Sequence, residues 1–260
     1  MISQDGFLRH FRRIIHTGNL LICANEILGK DVRVLHVGAH AAQELDLYST
    51  HGLNDVYWVE PMPHLVKKLT NILSEKYVIP YAVWSQRRTM KLQIANNEVS
   101  SSFYKFASTN PFINQETISE IEVQTITLDD ILENFLPSDS KPLILVLDIQ
   151  GSEYEALRGL SKKNRGKILG MVIEVSEIPV YEDAASAEQI RRYIKSLGYV
   201  RNLSLVRPPT NHGDELFLKK SVFLKINTLI RACTFSLLIK ISLFRFLHNQ
   251  EKSSHDAPTN

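Results

Sequence analysis

The stretch that most constrains this chain is Leu143-Ile144-Leu145-Val146-Leu147, five consecutive aliphatic residues closed by Asp148. A strand that is apolar on both faces has to be covered on both, which points to a parallel sheet flanked by helices. The strand is read over Leu143–Ile149, and the same kind of run recurs at Val32–Val37, Val56–Val59, Tyr77–Trp84 and Ile168–Val175. Between these runs lie stretches of helical character: Gln43–Thr50, Leu65–Leu73, Glu153–Leu160 and Ala187–Leu197. Pro63 falls in the first turn of the second of these, where a missing N–H costs little. Tyr199–Val206 with Glu215–Leu218 reads as a terminal strand pair. Strands alternating with helices in this order predict an α/β fold with a mostly parallel sheet.

Residues 85–127 interrupt that rhythm. Met90–Ala95 and Ile121–Ile126 alternate like half-buried strands around a polar segment, Asn96–Glu116, which contains Ser100-Ser101-Ser102 and Asn110-Pro111. A connection of that length predicts a lid or substrate loop. Thr127 then caps a short helix, Leu128–Phe135, with Asp129-Asp130 at its start in capping positions.

The 260 residues carry 30 Lys plus Arg against 28 Asp plus Glu, a net charge of +2, but the distribution is uneven. Residues 1–30 hold +2, residues 221–260 hold +3, and the stretch between holds −3. An acidic middle excludes a protein that coats nucleic acid. Residues 7–28 read as a packing helix. Residues 221–248 are apolar at 17 of 28 positions, yet the longest run without a charge, Ala232–Ile239, is only eight residues. That is short of the roughly 20 residues a bilayer span requires. It predicts a helical extension that docks on the fold or lies on the inner membrane surface through Lys225, Arg231, Lys240 and Arg245. The opening residues lack the apolar stretch of an export signal. Cys23 and Cys233 stand 210 positions apart, so neither a disulfide framework nor a metal cluster is indicated. These features predict a cytoplasmic protein with a catalytic domain over 31–220, between the helical segment 1–30 and the extension 221–260.

Val34-Leu35-His36-Val37-Gly38-Ala39-His40 reads as a strand, a glycine turn and the start of a helix. Gly38 can take a backbone conformation closed to other residues and lets a ligand approach the chain. Glu60, 22 residues later at the end of the second strand, is placed to hold both hydroxyls of a ribose. The later glycines of a pyrophosphate cradle are replaced by Ala41 and Ala42, so a nucleoside without phosphates fits better. S-adenosylmethionine is such a molecule. Asp148 and Glu174 end the strands that follow, and with Glu60 they form an acidic rim. That rim suits a sulfonium cation and offers a general base to a hydroxyl nucleophile.

Asp148-Ile149-Gln150-Gly151-Ser152-Glu153 followed by Ala156-Leu157-Arg158-Gly159 resembles the signature of the FkbM family of S-adenosylmethionine-dependent methyltransferases. Gly38-Ala39-His40 with Glu60-Pro61, Ser100-Ser101-Ser102, Thr127-Leu128-Asp129-Asp130, Glu174-Val175-Ser176 and His212-Gly213-Asp214-Glu215-Leu216 are similar to it in the same order. The resemblance covers about residues 31–220. It implies a Rossmann-like seven-stranded methyltransferase fold with helices on both faces, and O-methylation of a carbohydrate, glycan or glycosylated metabolite. Where the family often has Asp this chain has His36, and where it often has Gly this chain has Ala42. Glu44 or Asp148 then becomes the acid beside the methionine amino group.

Carried over residue by residue, the resemblance places His36, Gly38, Ala39 and His40 at the cofactor's amino-acid end. Glu60 and Pro61 fall at the ribose, Ala82 and Val83 beside the adenine, and Asp148 and Gly151 along the next strand end. Asp148 is the first candidate for catalysis, with Glu174 and His212 as alternative bases. No cluster suggests a dedicated metal. Two other readings compete: a nicotinamide-dependent oxidoreductase or epimerase, disfavoured by the missing glycines, and a non-catalytic membrane-associated scaffold with a degenerate nucleoside fold.

Overall fold

Two fully buried strands, β1 (Arg33–Val37) and β7 (Leu143–Leu147), pair in parallel with Val34 opposite Ile144 and His36 opposite Val146. The structure, a computed structural model, describes Leu20, Leu21, Ala24, Asn25, Leu28 and residues 31–224. On one side of β1 the sheet continues through β2 (Val56–Val59) to β3 (Val78–Ile79). On the other it runs from β7 through β8 (Ile168–Ser176) and β10 (His212–Lys219) to β9 (Tyr199–Ser204). The result is a seven-stranded α/β sheet in which β10 alone among the described strands runs antiparallel to its neighbours. The chain runs outward from β1 to β3 and then returns to β7. The β1/β7 junction is therefore the switch point at which ligands of such sheets bind.

Both faces are covered. Leu35, Val37, Leu145, Leu147 and Ile173 pack on one face with α3 (Leu128–Asn134), α4 (Glu153–Arg158) and α6 (Ala187–Ser196). The helix α5 (Lys162–Arg165) adds a single turn that periodicity did not reveal. On the opposite face His36 stacks on Trp58, which stacks in turn on Tyr48 of α1 (Leu45–Thr50). The capping position read at Thr127 is occupied as expected: its side chain accepts from Asp130 N–H, and the Asp130 carboxylate accepts from Thr127 N–H. Ser186 and Gln189 form the same reciprocal cap on α6.

Two elements differ from the sequence expectation. Tyr77–Trp84 is not one strand. Pro80, which has no N–H to give a ladder, separates β3 from β4 (Ala82–Val83), and β4 joins a second sheet. That sheet, ordered β4-β6-β5, contains the long hairpin of β5 (Arg88–Ala95) and β6 (Thr117–Ile126). The hairpin outreaches the expected strands through a fully exposed end, Thr117–Glu120, in which Ile118 stands in solvent beside polar neighbours. Its own small core joins Leu92, Ile94 and Val123 to Leu65 of α2 (Pro63–Ile72). In the strand pair at the end of the chain β9 stops at Ser204, short of the expected Val206, while β10 begins at His212, ahead of the expected Glu215.

Of the expected amino-terminal helix, Leu20, Leu21, Ala24, Asn25 and Leu28 are helical, and the rest of 7–28 lies outside the described residues. The chain divides into two compact units, residues 1–219 and 220–260. In the second, residues 220–224 are helical, and the remainder of the predicted 221–248 extension lies outside the described residues. Among the described residues no helix is long and apolar enough to cross a membrane.

The switch point is closed by backbone. Gly38 N–H and Ala39 N–H donate to Val59 O at 3.1 and 3.0 Å, and Asp148 N–H donates to Val37 O at 3.1 Å. Gly38 has φ +92°, and a Cβ there would lie 1.7 Å from Asp148 O. The glycine is thus required by the neighbouring strand end as much as by any ligand. Four residues on, Ala42 holds φ +51° with a side chain attached, a conformation that costs a non-glycine residue about 1 kcal/mol. Gly38→Ala is expected to destabilise the protein by more than about 3 kcal/mol. Ala42→Gly is expected to raise the melting temperature by about 2–4 °C. Thermal unfolding of the two variants checks both.

Candidate active site

Beyond the carboxyl ends of β1, β2, β7 and β8 lies a cavity of about 460 Å³. It falls within the size range of small-molecule and cofactor sites. His36, Gly38 and His40 line it from the first strand end, Glu60 and Pro61 from the second, and Ala82 and Val83 from β4. Asp148, Glu174 and His212 line it from β7, β8 and β10. Ala39 and Gly151 are not among the lining residues: Ala39 is buried in the turn, and Gly151 borders a smaller cavity that shares Glu174 and His212. The long loop after β5 contributes Glu98, Val99, Ser101 and Phe103, in keeping with the expectation of a loop over the site.

The lining is strongly one-sided in charge. It contains six carboxylates, Glu44, Glu60, Glu98, Asp148, Glu174 and Asp214, and neither lysine nor arginine. A pyrophosphate has nothing to bind here, whereas a sulfonium, an ammonium or the hydroxyls of a ribose do. Ser152, 1 % exposed, is one of the lining residues, and its buried hydroxyl has no partner within the protein. A ligand with a polar edge would satisfy it. Among the described residues no group of three or more His, Cys, Asp or Glu is disposed to hold a metal ion.

Glu60 braces the first two strand ends against each other. Its Oε2 accepts from His40 N–H at 2.8 Å and its Oε1 from Met62 N–H at 2.9 Å. Burial nonetheless outweighs these bonds and lifts its pKa to about 7. Each oxygen keeps a second lone pair, so the carboxylate can still receive two hydroxyl donors. His36 is sealed differently. Its Nδ1 faces Tyr48 Oη at 3.0 Å, and burial lowers its pKa, so the ring is neutral. His40 accepts at Nδ1 from Gln43 Nε2 at 2.8 Å, which puts its proton on Nε2.

The acidic end is a connected network. His212 Nε2 lies 2.7 Å from Glu174 Oε1, and His212 Nδ1 is buried without a partner. Gln150 Nε2 donates to Asp148 Oδ1 at 2.7 Å and to Glu174 Oε2 at 2.9 Å, while Tyr181 Oη donates to Gln150 Oε1 at 2.7 Å. Burial, then Glu174 and Asp214, push the Asp148 carboxyl well up. Burial, then Glu153 and Asp214, do the same to Glu174. Two buried carboxyls this close cannot readily both ionise. Burial lowers the pKa of His212 despite the acids around it, so the imidazole is neutral. Glu153, in the first turn of α4, accepts from Ile149 N–H at 2.9 Å, and burial lifts its pKa to about 7. Gln150, Ser152 and Asp214 were missed as site residues although all three lie inside the quoted motifs. Their signal was adjacency to Asp148 and His212.

A cavity of this charge at the switch point of a mainly parallel sheet defines a nucleoside-cofactor α/β domain. A family model described as "Methyltransferase FkbM domain" matches residues 36–201, well over half of the chain. The chain belongs to the FkbM methyltransferase family, and S-adenosylmethionine is its cofactor. Among solved structures, a mutant of MtNAS in complex with S-adenosylmethionine is similar at 13% identity and a TM-score of 0.35. That similarity covers 78% of this chain, which spans 62% of the other chain's length. No curated protein matches the sequence.

The raised acids have a consequence for stability. A carboxyl whose folded pKa lies above its unfolded value favours the folded state at low pH, and that contribution is lost as pH rises through the folded value. For Glu60 and Glu153 the window runs from 4.5 to about 7. The melting temperature is therefore expected to fall between pH 5 and pH 8, and Glu60→Gln is expected to lessen that fall. Melting curves across the range measure it.

Proposed function

We propose that the protein is an S-adenosylmethionine-dependent O-methyltransferase that acts on a hydroxyl of a carbohydrate, glycan or glycosylated metabolite. The observation that carries this reading is His212. It is a neutral imidazole, backed by Glu174 through Nε2 and holding an unpartnered Nδ1 at a cavity lined by six carboxylates. When bound, the cofactor supplies a methyl group on a cationic sulfur. Glu60 holds the ribose hydroxyls, Ala82 and Val83 flank the base, and the acidic wall faces the positive charge.

His212 Nδ1 takes the proton of the acceptor hydroxyl as the oxygen–methyl bond forms and the sulfur–methyl bond breaks. Glu174 stabilises the resulting imidazolium across the 2.7 Å contact. Asp148 serves less well as the base, because burial and two neighbouring carboxyls keep its proton on. The carboxylates offer acceptors to a polyhydroxylated substrate, and Tyr81 and Phe103 in the same lining offer faces for a sugar ring. Because transfer from sulfonium is favourable in itself, alignment of the hydroxyl supplies most of the rate. On the same reading the protein works in the cytoplasm, peripherally on the inner membrane surface through 221–248.

Calorimetry is expected to show binding of S-adenosylmethionine that strengthens from pH 6 to pH 8 as Glu60 ionises. Glu60→Ala is expected to abolish it. His212→Asn is expected to leave binding intact while lowering transfer of labelled methyl to extracted cell-surface glycans by roughly 100-fold. Absence of cofactor binding by the native protein overturns the proposal.

A further inference from the structure

We propose that Glu44 is the counter-ion of the cofactor's amino-acid end: its carboxylate, unbonded within the described residues and lining the cavity beside the end of β1, receives the ammonium of S-adenosylmethionine. The inference rests on the proposed seating of the cofactor, with the base at Ala82 and Val83 and the ribose at Glu60.

S-adenosylmethionine brings two positive groups, a sulfonium and an ammonium, to a wall of six carboxylates. An ammonium is held best by an ionised acid that has no protein partner to give up. Five of the six are engaged elsewhere. Glu60 accepts from two backbone amides. Glu98 pairs with His64 Nε2 at 3.2 Å. Asp148 and Glu174 both receive the Gln150 amide, and burial followed by neighbouring acids holds them toward their neutral forms. Asp214 stands opposite Glu174 in the β8–β10 ladder, has contacts of its own, and adds to their repulsion.

Glu44 differs from all of these. It occupies the N-cap of α1 but makes no cap bond, and among the described residues its carboxylate has neither a hydrogen bond nor an ion pair. It is half-buried at the cavity, whose lining holds neither lysine nor arginine to answer it. Its charge acts on His36 and Tyr48, which face each other at 3.0 Å and are both neutral.

The order of the sheet puts this acid on the course of the amino-acid end. With the base at β4 and the ribose at the end of β2, the next strand across is β1, followed by β7, β8 and β10. On that seating the chain beyond the ribose crosses the end of β1, where Gly38 presents no side chain and Glu44 enters from the start of α1. The sequence left Glu44 and Asp148 as alternatives for this acid. Asp148 stands one strand further along, where its surroundings keep its proton on.

The test is calorimetry of the full chain with three probes: S-adenosylmethionine; S-adenosylhomocysteine, which keeps the ammonium and lacks the sulfonium charge; and 5′-methylthioadenosine, which lacks both. Glu44→Gln removes a charge without breaking a bond among the described residues, and it is expected to melt at the temperature of the native protein. It should weaken the first two probes alike, by about tenfold each, as loss of one charge-assisted contact does, and leave the third unchanged. Glu44→Ala, which leaves no acceptor, should weaken the same two by at least as much. Weakening of S-adenosylmethionine alone places Glu44 at the sulfonium, and weakening of all three alike, or of none, removes it from the amino-acid end. Each of these overturns the inference, as does Asp148→Asn showing the selective pattern in its place. Glu60→Ala reports separately on the seating and is expected to abolish binding of 5′-methylthioadenosine. If that probe is unaffected the seating fails and the assignment of Glu44 with it. If Glu60→Ala behaves as expected and the Glu44 variants do not, the role of Glu44 alone is overturned.

Discussion

The contact on which the site depends is between two pieces of main chain. The carbonyl oxygen of Asp148 occupies the place where any side chain at Gly38 would begin. This close crossing lets β1 and β7 end at the same level, and it brings the turn after one strand against the loop after the other. Everything else is hung from it. Glu60 reaches across to His40 N–H because the first turn is pressed down onto β2. The Asp148 side chain meets Glu174 because β7 and β8 stop one after the other in register. A protein interior close to crystal density transmits such a requirement directly, since no slack is available to absorb a methyl group.

The buried acids fall into two kinds, and their partners distinguish them. Glu215, fully buried on β10, is gripped by Arg191 through two bonds of 2.9 Å and by Arg201 through a third. At the opposite ends of the strands Arg33 bridges Asp139 and Asp55 in the same manner. These carboxylates are neutralised where they stand and serve the fold. Asp148 and Glu174 have a glutamine and a histidine instead of a cation, so no fixed positive charge of the protein meets them at the cavity wall and their protons are held more tightly. Burial without a counter-ion is costly to a fold, and it is tolerated where the missing charge belongs to a substrate or cofactor.

Much of this was legible in the sequence for a definite reason. Strands buried on both faces are written as unbroken apolar runs, so β1, β2, β7 and β8 announce themselves, and the polar residue that ends each run marks the rim of the site. Gly38, Glu60, Asp148 and Glu174 were found in that way. The exposed reach of the hairpin had no such signature, because Thr117–Glu120 stands in solvent and carries no period. Pro80 was present in the sequence, but a break between sheets and a pause within one strand look alike until the second sheet is seen. What could not be read was the contact between them: Glu174 and His212 were both candidate bases, but they come from different strands, and Gln150 reaches Glu174 from 24 positions away, so their adjacency in space left no spacing to detect.

Glu60 has one further consequence. By gripping the amides of His40 and Met62 before any ligand arrives, it leaves this part of the cavity wall already set. Binding then need not freeze a floppy turn, and the association keeps free energy that ordering would otherwise consume. The same grip means that donor and spent product meet one rigid mould. Under the proposed function, turnover then discriminates between them at the acidic wall, where the two differ by a unit of charge, and not at the sugar, where they are the same.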